Sequence, residues 1–256
     1  DPFNKLLHAK SINNMKAKNI FQKVESDIVD TEDGNLKNIN ITVEEKATGE
    51  ILVGAGVGSE GGTAQFSVSE NNFLGKGVKL STGLRVSEEK LRGNFTVTNP
   101  NFNYSDKALS TDIFITDTNK LSDAGYKSTD AGFSFGTGFE QYDDFFFRPN
   151  FKTVYEELTT NSSASANLKK QEGTYFTTTI GYVLDLDKRN QRFQTTDGFQ
   201  SKFIQNIPLI SESDTLLNGY QFDKYYSFND ITTSFGLYLR AVTGLTDDVR
   251  ISERVR

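Results

Sequence analysis

The 256 residues carry a net charge of −6, and 36% of them are hydrophobic and 24% charged, which argues against a nucleic-acid partner because phosphate binding depends on clustered Lys and Arg. No run of about 20 apolar residues occurs, so membrane-spanning helices are excluded, whereas membrane-spanning strands are not, because only every second side chain of such a strand meets lipid. The chain has no Cys, which excludes disulfides, thiolate zinc sites and thiol nucleophiles.

The first 47 residues predict one helix followed by one hairpin. The helix is expected over residues 4–18, with Asn19 in the left-handed conformation that ends many helices. Two strands, 21–29 and 38–44, are expected to be joined by a turn at Asp33 and Gly34. Because such a unit is too small to be stable alone, we expect it to be the end of a larger domain.

From Glu50 onward, apolar and polar residues alternate in one segment after another. Leu80 and Leu84, for example, are separated by polar or small residues such as Ser81 and Arg85, and this period of two is typical of strands with one apolar face. The pattern predicts about eleven strands, at residues 51–58, 63–70, 77–87, 90–99, 107–117, 126–140, 145–159, 174–186, 198–208, 218–228 and 232–243.

Successive strands without intervening helices predict an antiparallel meander, which must close into a barrel, split into a sandwich or protect its edges. Many of the segments match the roughly 9 to 11 residues that cross a bilayer at a tilt. Short turns separate most of them, and the longest connection, about 160–173, is rich in Ser, Asn and Ala. We expect that connection to be a mobile, solvent-exposed loop.

The alternation does not say which face of the sheet meets water. A membrane barrel has its apolar face outside and its polar face around a wet lumen, whereas a soluble β-sandwich buries the apolar face. The charged residues of the polar face could line an ion-selective pore or lie in a hydrated lumen, and we favour the second because no constriction can be recognised in a linear sequence. These residues are Arg85, Arg92, Asp112, Arg148, Lys152 and Lys202.

Three sequence segments identify a family resemblance. GAGVGSEGG at residues 54–62, NFLGKG at 72–77 and VTNPNF at 97–102 resemble, in order and spacing, the first four barrel strands of the BamA family. LDKR at 186–189 followed by TDG at 196–198 resembles a strand-connecting motif of that family. Thr195 stands where the family motif has proline, which removes a fixed φ angle from this turn, while Gly198 keeps the permissive position.

The resemblance implies a mainly β fold: an antiparallel up-and-down transmembrane β-barrel, incomplete in this chain, preceded by a partial α+β POTRA domain. Residues 1–47 would be the C-terminal part of the POTRA domain, and 48–256 the N-terminal part of the barrel. Residues 71–77 would face the periplasm and the Ser-rich loop the outside. Residues 247–256 would enter the loop that folds into the lumen and carries an Arg-Gly-Phe signature, and about five strands of about sixteen would follow.

The function implied by the resemblance is the insertion of other β-barrel proteins into the bacterial outer membrane, without enzymatic activity, cofactor or metal. Unfolded β-barrel clients, outer-membrane lipid and accessory assembly lipoproteins would be the partners, and the POTRA part would lie in the periplasm. One alternative is a related transporter, such as TamA or a two-partner secretion pore. Another is a soluble, secreted β-sandwich that binds glycans.

In this family the first barrel strand pairs weakly with the last, and client strands add to its edge. The corresponding seam strand here is Ile51, Leu52, Val53, Gly54, Ala55, Gly56, Val57 and Gly58. Its three glycines either weaken the seam or make room for the inward-folding loop. The candidate residues of the family turn motifs are Asn72, Gly75, Asn99, Pro100, Asp187, Arg189, Thr196 and Gly198.

Other motifs have simpler interpretations. The glycines at 56, 58 and 61 fit a dinucleotide-binding pattern, but a strand-like segment follows where phosphate binding needs a helix. His8 is predicted to be an ordinary surface histidine. The acid pairs are predicted to be solvated turn residues rather than catalytic or cation-binding groups; they are Asp143 with Asp144, Asp185 with Asp187, and Asp247 with Asp248.

Overall fold

The structure is a computed structural model. It describes residues 3–31, 36–58, 61–105, 107–191, 194–211, 214–229, 231–246 and 248–254. Within these ranges, a unit of one helix and one hairpin precedes a single sheet of eleven strands. No described helix is both long enough and apolar enough to cross a membrane.

The N-terminal unit has the predicted elements. Helix α1 (Lys5–Ala17) is followed by the antiparallel strands β1 (Phe21–Asp30) and β2 (Lys37–Glu45). The side chain of Asn4 caps α1 by accepting hydrogen bonds from the backbone N–H groups of residues 6 and 7, at 2.9 and 3.2 Å. Asn19 has a φ of 57°, as expected. The predicted turn at residues 33 and 34 lies outside the described residues, and the assignment of 1–47 to a POTRA domain stays a prediction.

The rest of the chain forms an antiparallel meander in which each strand pairs with the next. All eleven predicted strands are present, and each end lies within three residues of its predicted position. The strands are β3 (Gly49–Gly58), β4 (Gly61–Phe73), β5 (Val78–Ser87), β6 (Lys90–Asn99), β7 (Ala108–Lys120), β8 (Tyr126–Tyr142), β9 (Phe145–Thr160), β10 (Gly173–Asp187), β11 (Gly198–Ser211), β12 (Thr215–Phe228) and β13 (Ile231–Gly244).

Most residues of the connection between β9 and β10 are exposed, as predicted, but the connection is not a simple loop. It contains a short helix, α2 (Ala166–Lys169), whose first turn is capped by the hydroxyl of Ser165, 3.2 Å from the backbone nitrogen of Leu168. Leu168 is buried against Tyr126 and Leu158. This single leucine, surrounded by polar residues in the sequence, folds the loop onto the sheet because burying its side chain removes apolar surface from water.

The apolar face of the sheet is exposed. Ile113 on β7, Phe133 on β8 and Ile180 on β10 lie on this face and are 58%, 44% and 44% exposed. Aromatic rings form a row across β8 to β11 on the same face, with centroids 5.9 to 6.3 Å apart, and such bands are typical of strands that meet lipid. The rings are Phe139, Phe147, Tyr182 and Phe203.

The polar face is the one on which distant parts of the chain meet. Arg148 on β9 forms an ion pair with Asp185 on β10 at 2.6 Å, and Gln200 on β11 donates to the same carboxylate at 2.9 Å. Arg250, which follows β13, lies 3.4 Å from Glu156 on β9, four strands away in the sheet. A single eleven-stranded sheet with an exposed apolar face contradicts the β-sandwich alternative, which needs two sheets with apolar residues between them.

Two neighbouring residues of β6 allow the orientation of the faces to be tested. Phe95 is on the apolar face and 45% exposed, and Asn94 is exposed on the polar face. If the apolar face meets hydrocarbon, Phe95→Arg in the full-length protein should lower the free energy of unfolding from bilayers by about 2–4 kcal/mol, because charge is costly there. The matched Asn94→Arg should have little effect. Equal effects in denaturant titrations would contradict this orientation.

Candidate functional site

The first strand of the sheet is an open edge. β3 pairs with β4 alone in the part of the chain that the structure describes, so one row of its backbone N–H and C=O groups has no strand partner there. Its side chains are correspondingly exposed, at 76% for Val53 and 91% for Val57. All eight predicted seam residues lie on this strand. β13 is the opposite edge.

The two faces of β3 differ in bulk. Ile51, Val53, Ala55 and Val57 continue the apolar face, whereas the polar face is bare at the three glycines. A hollow of about 290 Å³ lies against these glycines, with Thr63, Gln65 and Arg85 as further walls. The edge strand therefore presents a nearly flat backbone on its polar side.

The glycines of β3 are not equivalent. A Cβ at Gly54 would lie 3.2 Å from the side chain of Gln65, whereas a Cβ at Gly56 or Gly58 would meet nothing within 4 Å. Neighbouring atoms therefore do not require glycine at 56 and 58. A weakened seam and room for another segment both remain consistent with this geometry.

The turn between β4 and β5 is built by its motif residues. The side chain of Asn72 accepts a hydrogen bond from the backbone N–H of Gly77 at 2.7 Å, and the carbonyl of Asn72 accepts one from Gly75 at 2.9 Å. Gly75 and Gly77 have φ angles of 69° and 65°, which favour glycine. Asn72 and Gly75 thus shape a tight turn.

Asn99 and Pro100 begin the connection between β6 and β7. The side chain of Asn99 accepts a hydrogen bond from the backbone N–H of Asn101 at 3.1 Å. Pro100 lines a cavity of about 1050 Å³ at this end of the polar face, together with Lys107, Glu140 and Arg148. The motif therefore borders a large hollow of the polar face.

In the turn between β10 and β11, Asp187 and Arg189 form a two-point ion pair. Nε and Nη2 of Arg189 donate to the two carboxylate oxygens of Asp187 at 2.7 and 2.8 Å. The Asp187 carboxylate raises the pKa of the Arg189 guanidinium further above its usual range. Both side chains are largely buried. A bidentate pair of this kind fixes the direction in which the chain leaves β10.

The remainder of this turn is held by side-chain amides and hydroxyls. The carboxamide oxygen of Asn190 accepts from the backbone N–H groups of Thr196 and Asp197, each at 3.2 Å. Thr195, in place of the family's proline, donates its hydroxyl to the carbonyl of Gln191 at 2.7 Å. This hydrogen bond closes the turn that a proline ring would otherwise stiffen.

The charged residues of the polar face are distributed along it. Arg85 on β5 lies directly opposite Arg92 on β6. Lys152 on β9 lies 4.8 Å from the ring of Phe114, and Asp112 accepts from the hydroxyl of Thr96. Arg148 is paired with Asp185, so its charge is neutralised locally. This spread of charge favours a hydrated lumen over a narrow ion-selective filter.

The prediction that the acid pairs are solvated turn residues holds for Asp144, which is exposed, and is wrong for Asp185, which is buried on β10. Asp144 accepts from Lys188 at 2.8 Å, and this hydrogen bond raises the pKa of the Lys188 ammonium. Asp185 and Asp187 are engaged by Arg148 and Arg189. The last predicted pair includes residue 247, which lies outside the described residues.

The nucleotide motif and the single histidine also have simpler explanations. β4 begins at Gly61, so a strand and not a helix follows the glycines, as predicted. Nε2 of His8 lies 2.8 Å from the hydroxyl of Ser26 on the adjoining strand. Neither feature forms a site.

The resemblance implies that residues 247–256 enter a loop that folds into the lumen, and Arg250 of this segment does contact the polar face, but its individual partners were not predicted. Arg250 and Glu156 are buried together beside Tyr175 on the polar face, near the cluster that holds Leu168. These contacts join positions 75 to 94 residues apart, and no periodic pattern reports contacts over such distances.

Comparison with known proteins decides the family. Residues 72–255 match the family model of the Omp85 superfamily domain. The chain belongs to the Omp85 superfamily. No curated protein sequence shows detectable similarity to it.

Two solved structures show the extent of the fold similarity. BamA from Haemophilus ducreyi lacking POTRA domains 1–3 is 19% identical, with a TM-score of 0.70 over 91% of this chain and 49% of that one. CdiB from Acinetobacter baumannii is 10% identical, with a TM-score of 0.55 over 92% of this chain and 46% of that one. The Omp85 chain described here thus spans about half the length of these proteins. The family resemblance drawn from the sequence motifs is confirmed, and it supports an outer-membrane β-barrel.

The turn after β10 yields a stability test for this Omp85 chain. Gly198 has a φ of 98°, and a Cβ there would lie 2.2 Å from the carbonyl oxygen of Lys188. Gly198→Ala should therefore lower the free energy of unfolding by about 1–3 kcal/mol. Gly58→Ala, where a Cβ meets nothing within 4 Å, is the control and should change it by less than about 0.5 kcal/mol. Similar values in thermal or denaturant unfolding would show that the turn is not strained.

Proposed function

We propose that this protein is an outer-membrane assembly factor that folds and inserts other β-barrel proteins through a lateral seam at β3. The observation that carries the proposal is the open edge of β3, with its bare glycine face, in an Omp85 sheet whose apolar face is exposed. The bacterial outer membrane is the corresponding location, with the N-terminal unit in the periplasm.

The physical task is to pair the backbone of a client strand. A strand that enters lipid unpaired leaves N–H and C=O groups without partners, each at a cost of several kcal/mol, so unassisted insertion has a high barrier. An open edge offers these groups partners as the strand enters. This activity needs no covalent chemistry, so we propose neither a cofactor nor an enzymatic reaction.

Of the two edges of the sheet, β3 is better suited to temporary pairing. It has 10 residues, against 14 for β13. Its polar face is bare at three positions, whereas that of β13 carries Tyr238 and Arg240. Fewer paired residues and fewer cross-strand side-chain contacts give a weaker pairing. A strand that must accept and then release a client benefits from this weakness.

The proposed partners correspond to different surfaces. Unfolded β-barrel clients would pair with β3, and outer-membrane lipid would cover the apolar face. Accessory assembly lipoproteins are proposed from the family resemblance alone.

A second candidate is a related transporter such as TamA or a two-partner secretion pore. The cavity of about 1050 Å³ on the polar face favours a passage for a client segment, and the fold similarity to CdiB is consistent with it. The two functions differ in their product. An assembly factor leaves its client folded in the same membrane, whereas a secretion pore releases its client on the far side. Protease protection of the client in proteoliposomes distinguishes these two products.

Cross-linking tests the site of client pairing directly. Because the chain has no Cys, a single cysteine in the full-length protein reports one position. Val53→Cys on β3 should form a disulfide with a cysteine in an edge strand of an unfolded client during assembly. Phe95→Cys, on the same face of the internal strand β6, should not. Equal yields at both positions, or none at residue 53, would contradict the proposal.

The weakness of the seam can be tested at Gly56, where an added Cβ meets no atom within 4 Å. Gly56→Val should strengthen the pairing propensity of the edge strand and slow client insertion several-fold. Thr63→Val, at the position on β4 directly opposite, adds apolar character without changing the edge strand and is the control. Wild-type rates of client assembly for Gly56→Val would indicate that the glycines serve another purpose.

A further inference from the structure

The side chains of β3 do little to hold this strand on β4. Apart from Glu50, every residue of β3 is glycine, alanine, valine, leucine or isoleucine, so the strand is held by backbone pairing and by apolar contacts. One end of β3 is joined to β4 through residues 59 and 60, and the other end leads to the N-terminal unit. The end next to the N-terminal unit is therefore the one at which β3 could separate from β4.

A carboxylate lies at this end of β3. Glu70 on β4 is directly opposite Gly49, the first residue of β3, and a Cβ on Gly49 would lie 3.4 Å from Oε2 of Glu70. The hydroxyl of Thr48, the residue before β3, donates to Oε1 of the same carboxylate. Hydrogen bonds to an ionised acceptor are stronger than those between neutral groups. The side chain of Glu70 therefore holds the segment that enters β3.

The residues that follow Glu70 add further hydrogen bonds to this contact. Oε1 of Glu70 also accepts from the backbone N–H of Asn72 at 2.6 Å. The backbone and side-chain nitrogens of Asn71 both donate to the carbonyl of Thr48, at 3.3 and 3.4 Å. Thr48 thus donates to one residue at the end of β4 and accepts from the next.

The linker before β3 is held on its other side by the N-terminal unit. The backbone N–H of Lys46 donates to the carbonyl of Ile20 at 3.2 Å, and its ammonium group donates to the side chain of Asn19 at 2.6 Å. Only Ala47 separates Lys46 from Thr48. The hydrogen bond between Thr48 and Glu70 therefore connects the N-terminal unit, as well as the start of β3, to the end of β4.

We propose that Glu70 is a positioning residue for client pairing, because it binds Thr48 and so keeps the start of β3 on β4. If this end of β3 separated from β4, the edge available to a client would shorten, since a client strand can extend the sheet only where β3 lies in it. This inference rests on the proposed function and names a residue that holds the pairing strand in place.

Hydrogen exchange in the full-length protein tests the contact itself. Thr48→Val removes the hydroxyl and keeps the shape of the side chain. It should speed exchange of the β3 amides at 49–53 roughly tenfold, as expected for the loss of one hydrogen bond to a charged group. Amides 55–58, next to the connection with β4, should exchange at the wild-type rate. Wild-type exchange at 49–53, or equal acceleration along the whole strand, would overturn the proposal.

Two further variants separate this contact from a general loss of stability. Thr48→Ser keeps the hydroxyl and should retain slow exchange at 49–53. Thr82→Val on β5 is the matched control, because the hydroxyl of Thr82 donates to the carbonyl of Asn94 on the next strand at 3.0 Å. Acceleration at 49–53 by Thr82→Val equal to that by Thr48→Val would overturn the assignment of Glu70. If Thr48→Val does not fold, Glu70→Met replaces it, with the same expected and contradicting results.

Disulfide formation between Val53→Cys and an unfolded client, measured in the same variants, tests the effect on pairing. Adding Thr48→Val should lower the yield several-fold, whereas adding Thr48→Ser or Thr82→Val should not. An unchanged yield in a Thr48→Val protein whose exchange is faster would overturn the positioning role. Absence of the disulfide in every variant would instead contradict the proposed function, and the exchange rates would still decide whether Glu70 holds the start of β3.

Discussion

Backbone pairing is the constraint on which this structure depends. In hydrocarbon every backbone N–H and C=O group needs a hydrogen-bond partner within the protein. Each strand from β4 to β12 pairs with a neighbouring strand on both sides. The first and last strands are exceptions, since each pairs on one side among the described residues. The same requirement that makes a meander suitable for a membrane makes its edges reactive, and the proposed function uses one of these edges.

The two faces of the sheet suit different surroundings. The apolar face carries exposed aliphatic and aromatic side chains, which are costly in water and stable in lipid. The polar face carries amides and ion pairs, among them that of Arg250 with Glu156. The longer strands, β8 to β13, form one side of the sheet. The shorter strands, β3 to β7, form the other side, which ends at β3 with its three glycines. The two edges of the sheet therefore differ in strand length and in side-chain bulk.

Most of the fold could be predicted because the alternation of apolar and polar residues is local. Segments such as 78–87 and 90–99 record the faces of β5 and β6 in their own sequence. Gly198 could also be anticipated, since a tight turn favours a residue that tolerates positive φ. The contact of Arg250 with Glu156 could not, because its partners lie far apart in the chain and neither has a distinctive sequence context. The POTRA assignment of residues 1–47 rests on resemblance alone, because a helix and a hairpin occur in many folds.

The most direct test of the central claim is a scan of β7 with single spin labels in the full-length protein in bilayers. The orientation described here predicts that Leu109, Ile113 and Ile115 collide with lipid-dissolved oxygen, whereas Ser110, Asp112 and Thr116 collide with a water-soluble nickel complex. Collision rates should therefore alternate with a period of two residues. Nickel access at the apolar positions, or no alternation along the strand, would contradict the outward orientation of the apolar face.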